Sequence, residues 1–318
     1  MLNAQEISDV YQDIAAEVEH AIIGKPGLIK NIIAAILAGG HILLEDYPGL
    51  GKTILSKSIA KATGLRFSRI QFTPDLLPAD ITGSYVYNRI ENKFEFRMGP
   101  IFSNIILADE INRASPKTQS ALLEAMQERQ VTVDGRTKEL TEPFVVIATQ
   151  NPIEYEGTFP LPEAQLDRFL VKLGVGYPDL VQEVEILERR RKRQQDMVDI
   201  INITDVEKII QMRQVVENVY VEKDIDKYIV EIVHSTRDNR KVLVGASPRG
   251  SLSLMKISRA YAALEGREFV IPDDVKRFIK PTLAHRIILV PELWMHPNAE
   301  MEILDQIINS ITVPIFNN

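Results

Sequence analysis

The sequence predicts an α/β fold in which residues 1–177 are built on a parallel sheet, followed by an all-α part in residues 178–318. Short, fully apolar runs alternate with helical patterns from about residue 40 to 175, which is typical of buried parallel strands joined by crossover helices. After Tyr177-Pro178 the strand-like runs largely stop, and long amphipathic patterns replace them. A chain of 318 residues with 45% hydrophobic content is also large enough for two domains.

Five apolar runs are the predicted strands of the sheet. In chain order they are "HILLE", "RFSRIQF", "NIILADE", "PFVVIATQN" and "FLVKLGV". Two further segments alternate between apolar and polar residues, as hairpins do: "ITGSYVYNRIENKFEFRMGPIF" around "NRIENK", and "RQVTVDGRTKELTEPF" around Asp134-Gly135. Asp-Gly is a favoured two-residue hairpin turn. We therefore expect two hairpin insertions within the α/β part.

Helix signals mark the second part. The segment Thr204-Asp205-Val206-Glu207 has the spacing of a capping box with Thr204 as the cap, and Ser247-Pro248 predicts the start of another helix. Gly266 is expected to end that helix, because glycine readily adopts the left-handed conformation that follows a helix. These signals predict a C-terminal helical domain.

Composition excludes several classes of function. The 37 Lys and Arg against 44 Asp and Glu give a net charge of −7, which offers no general attraction to nucleic acid or to an anionic membrane. With no cysteine, the chain has no disulfide, thiolate metal site or cysteine nucleophile. The five histidines form no metal-binding pattern, and the acidic N-terminus has no apolar signal-peptide region. A cytoplasmic location is expected, and the basic run at 189–193 is interpreted as a solvated helix end.

The stretch "HILLEDYPGLGKT" has the strand, turn and helix order of a phosphate-binding loop. Asp46 stands where the strict motif has its first glycine, so a plain turn is the alternative. The glycines would let backbone N–H groups converge on phosphate oxygens, Lys52 would reach the β and γ phosphates, and the Thr53 hydroxyl would ligate Mg²⁺. The residues expected to bind the nucleotide in this loop are Pro48, Gly49, Leu50, Gly51, Lys52, Thr53 and Ile54.

Two adjacent acids end the predicted strand "NIILADE". Asp109 is expected to hold Mg²⁺, and Glu110 to polarise the attacking water. The alternative is a solvated strand end. The next strand, "PFVVIATQNP", ends in three polar residues, of which Asn151 is the candidate to orient that water by hydrogen bonding. An Asn-Pro pair is also a common turn initiator.

Taken together, "EDYPGLGKT", "ILADEINRASPKTQSALLEAMQERQVTVDG", "IATQNPIEYEGTFPLPEAQLDRF" and "GASPRG" resemble the MoxR family of AAA+ ATPases. The resemblance covers nearly the whole chain. It implies a P-loop AAA+ nucleotide domain with β-hairpin insertions and a helical lid, and it implies ATP and Mg²⁺ as cofactors. Asp46 does not depart from the loop of that family.

The resemblance also implies roles that spacing alone does not assign. Arg168 resembles the arginine finger supplied to a neighbouring subunit, and Arg249 resembles the second sensor at the start of a lid helix, acting in cis or in trans. Guanidinium groups suit both tasks because they stay charged and fork onto phosphate oxygens. The alternative is that Arg168 forms an ion pair with Asp167 or Glu163. Gly24 resembles the backbone position beside the adenine.

The implied function is a chaperone-like ATPase in a ring, most simply a hexamer, that remodels or matures partner proteins, often ones with von Willebrand factor A domains. The hairpins would face the pore and grip a client, or would only cover the edge of the sheet. Two other functions stay open: a motor that acts on DNA or RNA, and a nucleotide-gated binding switch with negligible turnover. The acidic net charge argues against the first, and Glu110 with Arg168 argues against the second.

Overall fold

A computed structural model describes residues 2–151 and 157–314 of the chain. Residues 152–156, which belong to the third family motif, lie outside the described residues. The strands are β1 Ile42–Glu45, β2 Phe67–Gln71, β3 Gly83–Asn88, β4 Lys93–Met98, β5 Ile105–Asp109, β6 Gln130–Val133, β7 Arg136–Glu139, β8 Val145–Gln150, β9 Val171–Leu173, β10 Val242–Val244 and β11 Ile288–Leu289.

The helices are α1 Ala4–Glu19, α2 Pro26–Leu37, α3 Lys52–Ala62, α4 Pro78–Thr82, α5 Pro116–Glu128, α6 Glu163–Leu166, α7 Leu180–Arg193, α8 Val206–Glu217, α9 Lys223–Asp238, α10 Pro248–Leu264, α11 Pro272–Leu283 and α12 Ala299–Ser310. Short 3-10 turns include Ile111–Arg113 after β5 and Ala284–Arg286 after α11. None of the helices in the described ranges combines the length and the apolar character that crossing a bilayer requires.

The five predicted strands form one parallel sheet in the order β2-β5-β8-β1-β9. β5 is buried along its whole length, and β8 is buried except at its last residue. The α/β prediction is therefore confirmed. Because parallel strands run in one direction, the polar ends of β1, β5 and β8 lie at the same edge of the sheet.

Two hairpins project from this α/β part, as predicted. β3 pairs with β4, and β6 pairs with β7 across Asp134 and Gly135, which both have positive φ, 49° and 73°. The two hairpins contact each other through cation–π interactions. The Arg136 guanidinium, for example, lies 5.2 Å from the centre of the Tyr85 ring. The hairpins are therefore one structural unit, and whether they face a pore stays a prediction.

The second part of the chain is helical, as predicted, with a small two-stranded pairing of β10 and β11. Ser247 caps α10, and Gly266 follows its end with φ +73°. The predicted cap of α8 was wrong by one residue: the Asp205 side chain, not Thr204, accepts the hydrogen bond from Lys208 N. Asp205 is itself an acceptable capping residue, so the two frames compete locally.

The apolar core on one face of the sheet continues into the helical part. α1 and α2 pack on α10, and one cluster of buried residues joins these helices to α3 and to β1, β5 and β8. A second cluster fills the other face, between the sheet, α5 and the segment that carries Phe169. The limits 1–177 and 178–318 stay a prediction, but no gap in packing separates the sheet from the helices that follow it.

A buried histidine lies at the start of β1. His41 Nε2 donates to the Met126 carbonyl at 3.0 Å, and its Nδ1 accepts from Val146 N at 3.0 Å. Burial, with the nearby Arg129 acting in the same direction, lowers the pKa of His41 from 6.5 to about 3. Neutral His41 therefore joins β1, β8 and the end of α5.

This histidine predicts an acid-sensitive stability. The native pKa of His41 lies below the unfolded value, so its stabilising contribution is complete above about pH 6.5 and is lost as the pH falls toward 3. At pH 5 the loss is about 2 kcal/mol. The free energy of unfolding, measured with urea at pH 7.5 and at pH 5, should fall less between these two pH values for His41→Asn than for the wild type. His296→Gln, at an exposed position, is the control and should behave as the wild type does. An equal loss of unfolding free energy between the two pH values in all three proteins would contradict the prediction.

Candidate functional site

The turn after β1 is shaped as an open cradle. Gly49 and Gly51 adopt φ of +83° and +77°, a left-handed conformation that favours glycine, and no atom lies within 4 Å of a Cβ added at either position. Gly51 is also the residue before the first turn of α3. The backbone N–H groups at this helix start are therefore next to open space, as anion binding requires.

Lys52 lies across this loop. Its Nζ donates to the carbonyl oxygens of Asp46 at 2.6 Å and of Tyr47 at 3.1 Å. Burial lowers the pKa of Lys52, while the carboxylates of Asp46, Asp109 and Glu110 act to raise it. A cation thus faces the acids at the ends of the strands. Asp46 has a structural use of its own, because its Oδ2 accepts from Gly176 N at 2.6 Å.

One cavity of about 370 Å³ collects most of the predicted site residues. It is lined by Pro48, Gly49, Leu50, Gly51, Lys52, Thr53, Ile54, Arg69, Asp109, Glu110, Thr149 and Asn151. Three separate strand ends and the loop therefore meet in one place. Of the predicted site residues, Gly24, Arg168 and Arg249 are not part of the lining.

Asp109 ends β5 and is held by two neighbours. Thr149 Oγ1 donates to Asp109 Oδ1 at 2.6 Å, and Arg69 donates to Oδ2 through Nε at 3.0 Å and Nη2 at 2.6 Å. Sequence reasoning missed Arg69. Gln71, the last residue of β2, lies beside Asp109 in the register of the sheet, and this pairing of β2 with β5 is needed before Arg69 can be assigned to the Asp109 carboxylate.

Glu110 has an unusual backbone. Its φ of +56° is in the left-handed region, which is rare and costly for a residue other than glycine. The Thr149 hydroxyl accepts from Glu110 N at 2.8 Å, so one side chain fixes both acids. Glu110 Oε2 accepts from Gln71 Nε2 at 2.8 Å and from Arg113 Nη1 at 3.0 Å. The Glu110 carboxylate is therefore oriented by contacts with protein side chains.

The oxygen groups in the cavity fit a nucleotide with Mg²⁺. In the part of the chain that the structure describes, no cluster of three His, Cys, Asp or Glu residues could hold a metal by itself. Mg²⁺ typically uses one or two protein oxygens together with phosphates and water. The Thr53 hydroxyl and the Asp109 carboxylate line the same cavity, and they are such oxygens. A metal bound there would share the Asp109 carboxylate with Arg69.

Arg168 lies on a different surface. Its Nη1 donates to the Leu123 carbonyl of α5 at 2.5 Å, and it lines a separate cavity of about 220 Å³ with residues of α5 and α6. Among the described residues, no ion pair joins Arg168 to Asp167 or Glu163. The alternative interpretation of Arg168 as a partner of Asp167 or Glu163 therefore finds no support in these contacts.

Arg249 lies close to Asp167, the residue that precedes Arg168 in the chain. It is in the first turn of α10, half-exposed, and its Nη1 is 3.5 Å from Asp167 Oδ2. Gly24 lies elsewhere, beside α7, with φ +71°; a Cβ at this position would come within 2.2 Å of the Gln182 side chain. The two arginines therefore share one region outside the phosphate cavity, and Gly24 contacts the helix that follows residue 178.

Comparisons with known proteins agree with this geometry. The family described as "ATPase family associated with various cellular activities (AAA)" matches residues 41–171, and the AAA lid domain matches residues 234–311. The chain is 49% identical to the uncharacterized protein YeaC of Bacillus subtilis, over 96% of this chain and 97% of that protein. It is 40% identical to Chaperone MoxR1 of Mycobacterium tuberculosis, over 95% and 81%. A crystal structure of a candidate ATPase from Cytophaga hutchinsonii superposes with a TM-score of 0.91 at 39% identity, over 98% and 97%.

The Thr149 hydroxyl offers a direct test of how the two acids are held. Thr149→Val keeps the shape but leaves Glu110 N without this acceptor and Asp109 without this donor. An unsatisfied buried group costs about 1–3 kcal/mol, so urea unfolding at pH 7 should show a loss of that size. Thr132→Val removes an exposed hydroxyl bonded to Thr137 Oγ1 and should change stability by less than about 0.5 kcal/mol. Equal effects of the two substitutions would contradict the prediction.

Proposed function

The chain belongs to the MoxR family of AAA+ ATPases, and we propose that it hydrolyses ATP in rings in order to remodel partner proteins. One observation carries the proposal: the phosphate loop, the acids of β5 and the polar end of β8 line one cavity, while Arg168 lies outside it. The cavity supports ATP binding by one subunit. The distant arginine supports completion of the site by a second subunit.

The loop and four strand-end or helix-start groups of the cavity, together with Asn151, have proposed tasks. The N–H groups of the loop and Lys52 bind the phosphates, and Thr53 and Asp109 provide the oxygens for the metal. Bound Mg²⁺ would screen the charge of the phosphates. Glu110 takes a proton from the attacking water, and Asn151 orients that water. The left-handed backbone of Glu110 supports this role, because strain of this kind clusters at functional sites.

We propose a head-to-tail ring, most simply a hexamer, in which Arg168 reaches the ATP of the next subunit. Arg249 forms an ion pair with Asp167, the residue that precedes Arg168. This contact supports a role for Arg249 at the same neighbouring site. A head-to-tail contact repeats the same interface and closes into a ring when the rotation allows it. The interface joins the phosphate cavity of one subunit to the Arg168 surface of the next.

The surface of α7 supports such an assembly. No residue of this 14-residue helix is buried, and Leu180, Val184 and Leu187 form an exposed apolar stripe. The stripe begins next to the phosphate loop, because the Tyr177 ring lies 5.9 Å from the Tyr47 ring. An exposed apolar face beside a shared site is the expected composition of a subunit contact.

We further propose that the substrate of remodelling is a folded partner protein, including proteins with von Willebrand factor A domains. The name of the Mycobacterium relative, Chaperone MoxR1, supports a chaperone role. The hairpin β3–β4 offers a contact surface, since Tyr87, Ile90 and Phe94 are exposed at its tip. Ile90 is 95% exposed, so this tip is available to a client.

Two substitutions should separate ATP binding from hydrolysis. Lys52→Ala removes the charge that faces the β and γ phosphates, so tight binding should be lost. Glu110→Gln keeps the shape and the binding site but removes the base, so binding should persist and turnover should fall to background. A titration with a fluorescent ATP analogue and a phosphate-release assay measure the two properties. Normal affinity in Lys52→Ala would show that this loop is not the site.

The same pair of variants tests the client. Glu110→Gln with ATP should hold a purified protein that contains a von Willebrand factor A domain, because the ring stays in its ATP state. Lys52→Ala should not hold it. Equal retention by both variants would mean that the contact is independent of nucleotide.

The shared site predicts complementation between inactive variants. Arg168→Ala should bind ATP and yet lose about 10³–10⁵ in rate, the range known for arginine fingers. In a mixture with Glu110→Gln, an Arg168→Ala subunit receives an intact finger from its neighbour. Random equal mixing creates this arrangement at about a quarter of the interfaces. Phosphate release should therefore reappear at up to that fraction of the wild-type rate.

Fluorescence transfer between labelled chains must show that the subunits exchange in this experiment. Mixed rings that stay as inactive as their parents would exclude the role of Arg168 in trans. The site would then be contained within one subunit.

A further inference from the structure

A buried arginine of the lid forms hydrogen bonds with the residues adjacent to Arg168 in the chain. Arg286, at the end of the 3-10 turn after α11, donates from Nε to Asp167 Oδ1 at 2.8 Å. Only 2% of the Arg286 side chain is exposed, against 23% of that of Asp167. The ion pair therefore lies inside the junction between the lid and the segment that carries Arg168, where a salt bridge is less screened than at the surface.

Arg286 also holds the backbone on both sides of Arg168. Its Nη2 donates to the Phe169 carbonyl at 2.6 Å and to the Asp167 carbonyl at 3.3 Å. Its Nη1 donates to the Leu170 carbonyl at 3.2 Å. One rigid guanidinium group thus contacts the backbone of the residue before the finger and of the two residues after it. A planar group with five fixed donors restricts that backbone more than a flexible ammonium would.

The second oxygen of Asp167 is used by the start of α10. Ser247 Oγ donates to Asp167 Oδ2 at 3.4 Å, and Arg249 Nη1 lies 3.5 Å from the same atom. Asp167 is therefore bonded to two separate elements of the lid. We use the name finger clamp for Asp167, Arg249 and Arg286.

The charge of Arg286 is maintained at neutral pH. Burial lowers the pKa of Arg286 to about 10, and Asp167 acts to raise it, so the guanidinium remains protonated. Burial, with Arg286 acting in the same direction, lowers the pKa of the adjacent His285 well below its usual value. His285 therefore stays neutral and adds no positive charge beside Arg286.

We infer that Asp167 is a positioning residue for Arg168: bonded by Arg286 and Arg249 of its own lid, it sets the place from which the finger reaches the neighbouring subunit. The inference rests on the proposed sharing of the ATP site between subunits. Asp167 does not line the phosphate cavity of its own subunit. Loss of Asp167 should impair the arginine finger that a subunit supplies to its neighbour. It should leave ATP binding and the catalytic groups in the subunit's own site intact.

Asp167→Asn is the test. Asn keeps the size of the side chain and one carbonyl acceptor, but it removes the charge and turns a donor toward the arginines. Misplacing a catalytic group by about 1 Å can cost about 100-fold in rate. Rings of Asp167→Asn should therefore bind ATP normally and release phosphate about 10- to 100-fold more slowly than wild type.

Mixing Asp167→Asn with two other variants distinguishes a defect in the supplied finger from a defect in the subunit's own ATP site. With Glu110→Gln, which still offers an intact finger, activity should rise to up to about a quarter of the wild-type rate. With Arg168→Ala, which offers no finger, activity should stay at the level of the parents. This pattern is the one expected of Arg168→Ala itself. The Arg168→Ala and Glu110→Gln mixture serves as the reference for a shared site.

Asp274→Asn is the matched control. Asp274 forms a buried ion pair with Arg267 inside the lid, at 2.6 Å, and 2% of its side chain is exposed. This substitution should lower the melting temperature and leave phosphate release near the wild-type rate. Arg286→Lys is the second variant: it keeps the charge, loses the fork that reaches the carbonyls around Arg168, and should give the mixing pattern of Asp167→Asn.

Four results would overturn the inference. Wild-type turnover in Asp167→Asn would exclude any positioning role. Activity with Arg168→Ala but not with Glu110→Gln would mean that Asp167 serves the site of its own subunit. Inactivity of both mixtures while the reference mixture is active would mean that Asp167 has only a structural role. A reference mixture that stays inactive would instead refute the shared site and, with it, the role of Asp167.

Discussion

The site depends on a parallel sheet that is covered on both faces. β5 is buried at every residue, and β8 at every residue but the last. Along such strands an unpaired charge would be too costly, so polar side chains can emerge only where the strands end. Parallel pairing brings those ends to a single edge. The phosphate loop after β1, the acids after β5 and the polar end of β8 are neighbours for that reason.

Local patterns predicted the elements whose information is local. The loop from Pro48 to Ile54, the acids Asp109 and Glu110, and the Asp134-Gly135 turn are each specified by a few adjacent residues. The five strands and the start of α10 were found in the same way. The failures at this scale are small: Thr204 and Asp205 can both cap a helix, and nothing local decides between them.

Contacts between distant segments were not predictable. Arg69 and Gln71 reach the two acids across the sheet, about forty positions away in sequence, and the order of strands is needed before they can be recognised. The interpretation of Arg168 as an ion-pair partner of Asp167 used proximity in sequence, whereas the structure gives Asp167 to Arg286, which is 119 positions away. Thr149 was noticed only as one of three polar residues, because its two hydrogen bonds depend on the register of β5 and β8.

The bonds that Arg286 makes around Arg168 have a thermodynamic consequence for a ring. A coupling free energy is the same in both directions. If the lid determines how well the finger fits the adjacent subunit, then engagement of the finger must change how tightly that lid closes on its own nucleotide. Each contact would therefore transmit the occupancy of one site to the next, and the binding curves of the assembly would depart from those of independent sites.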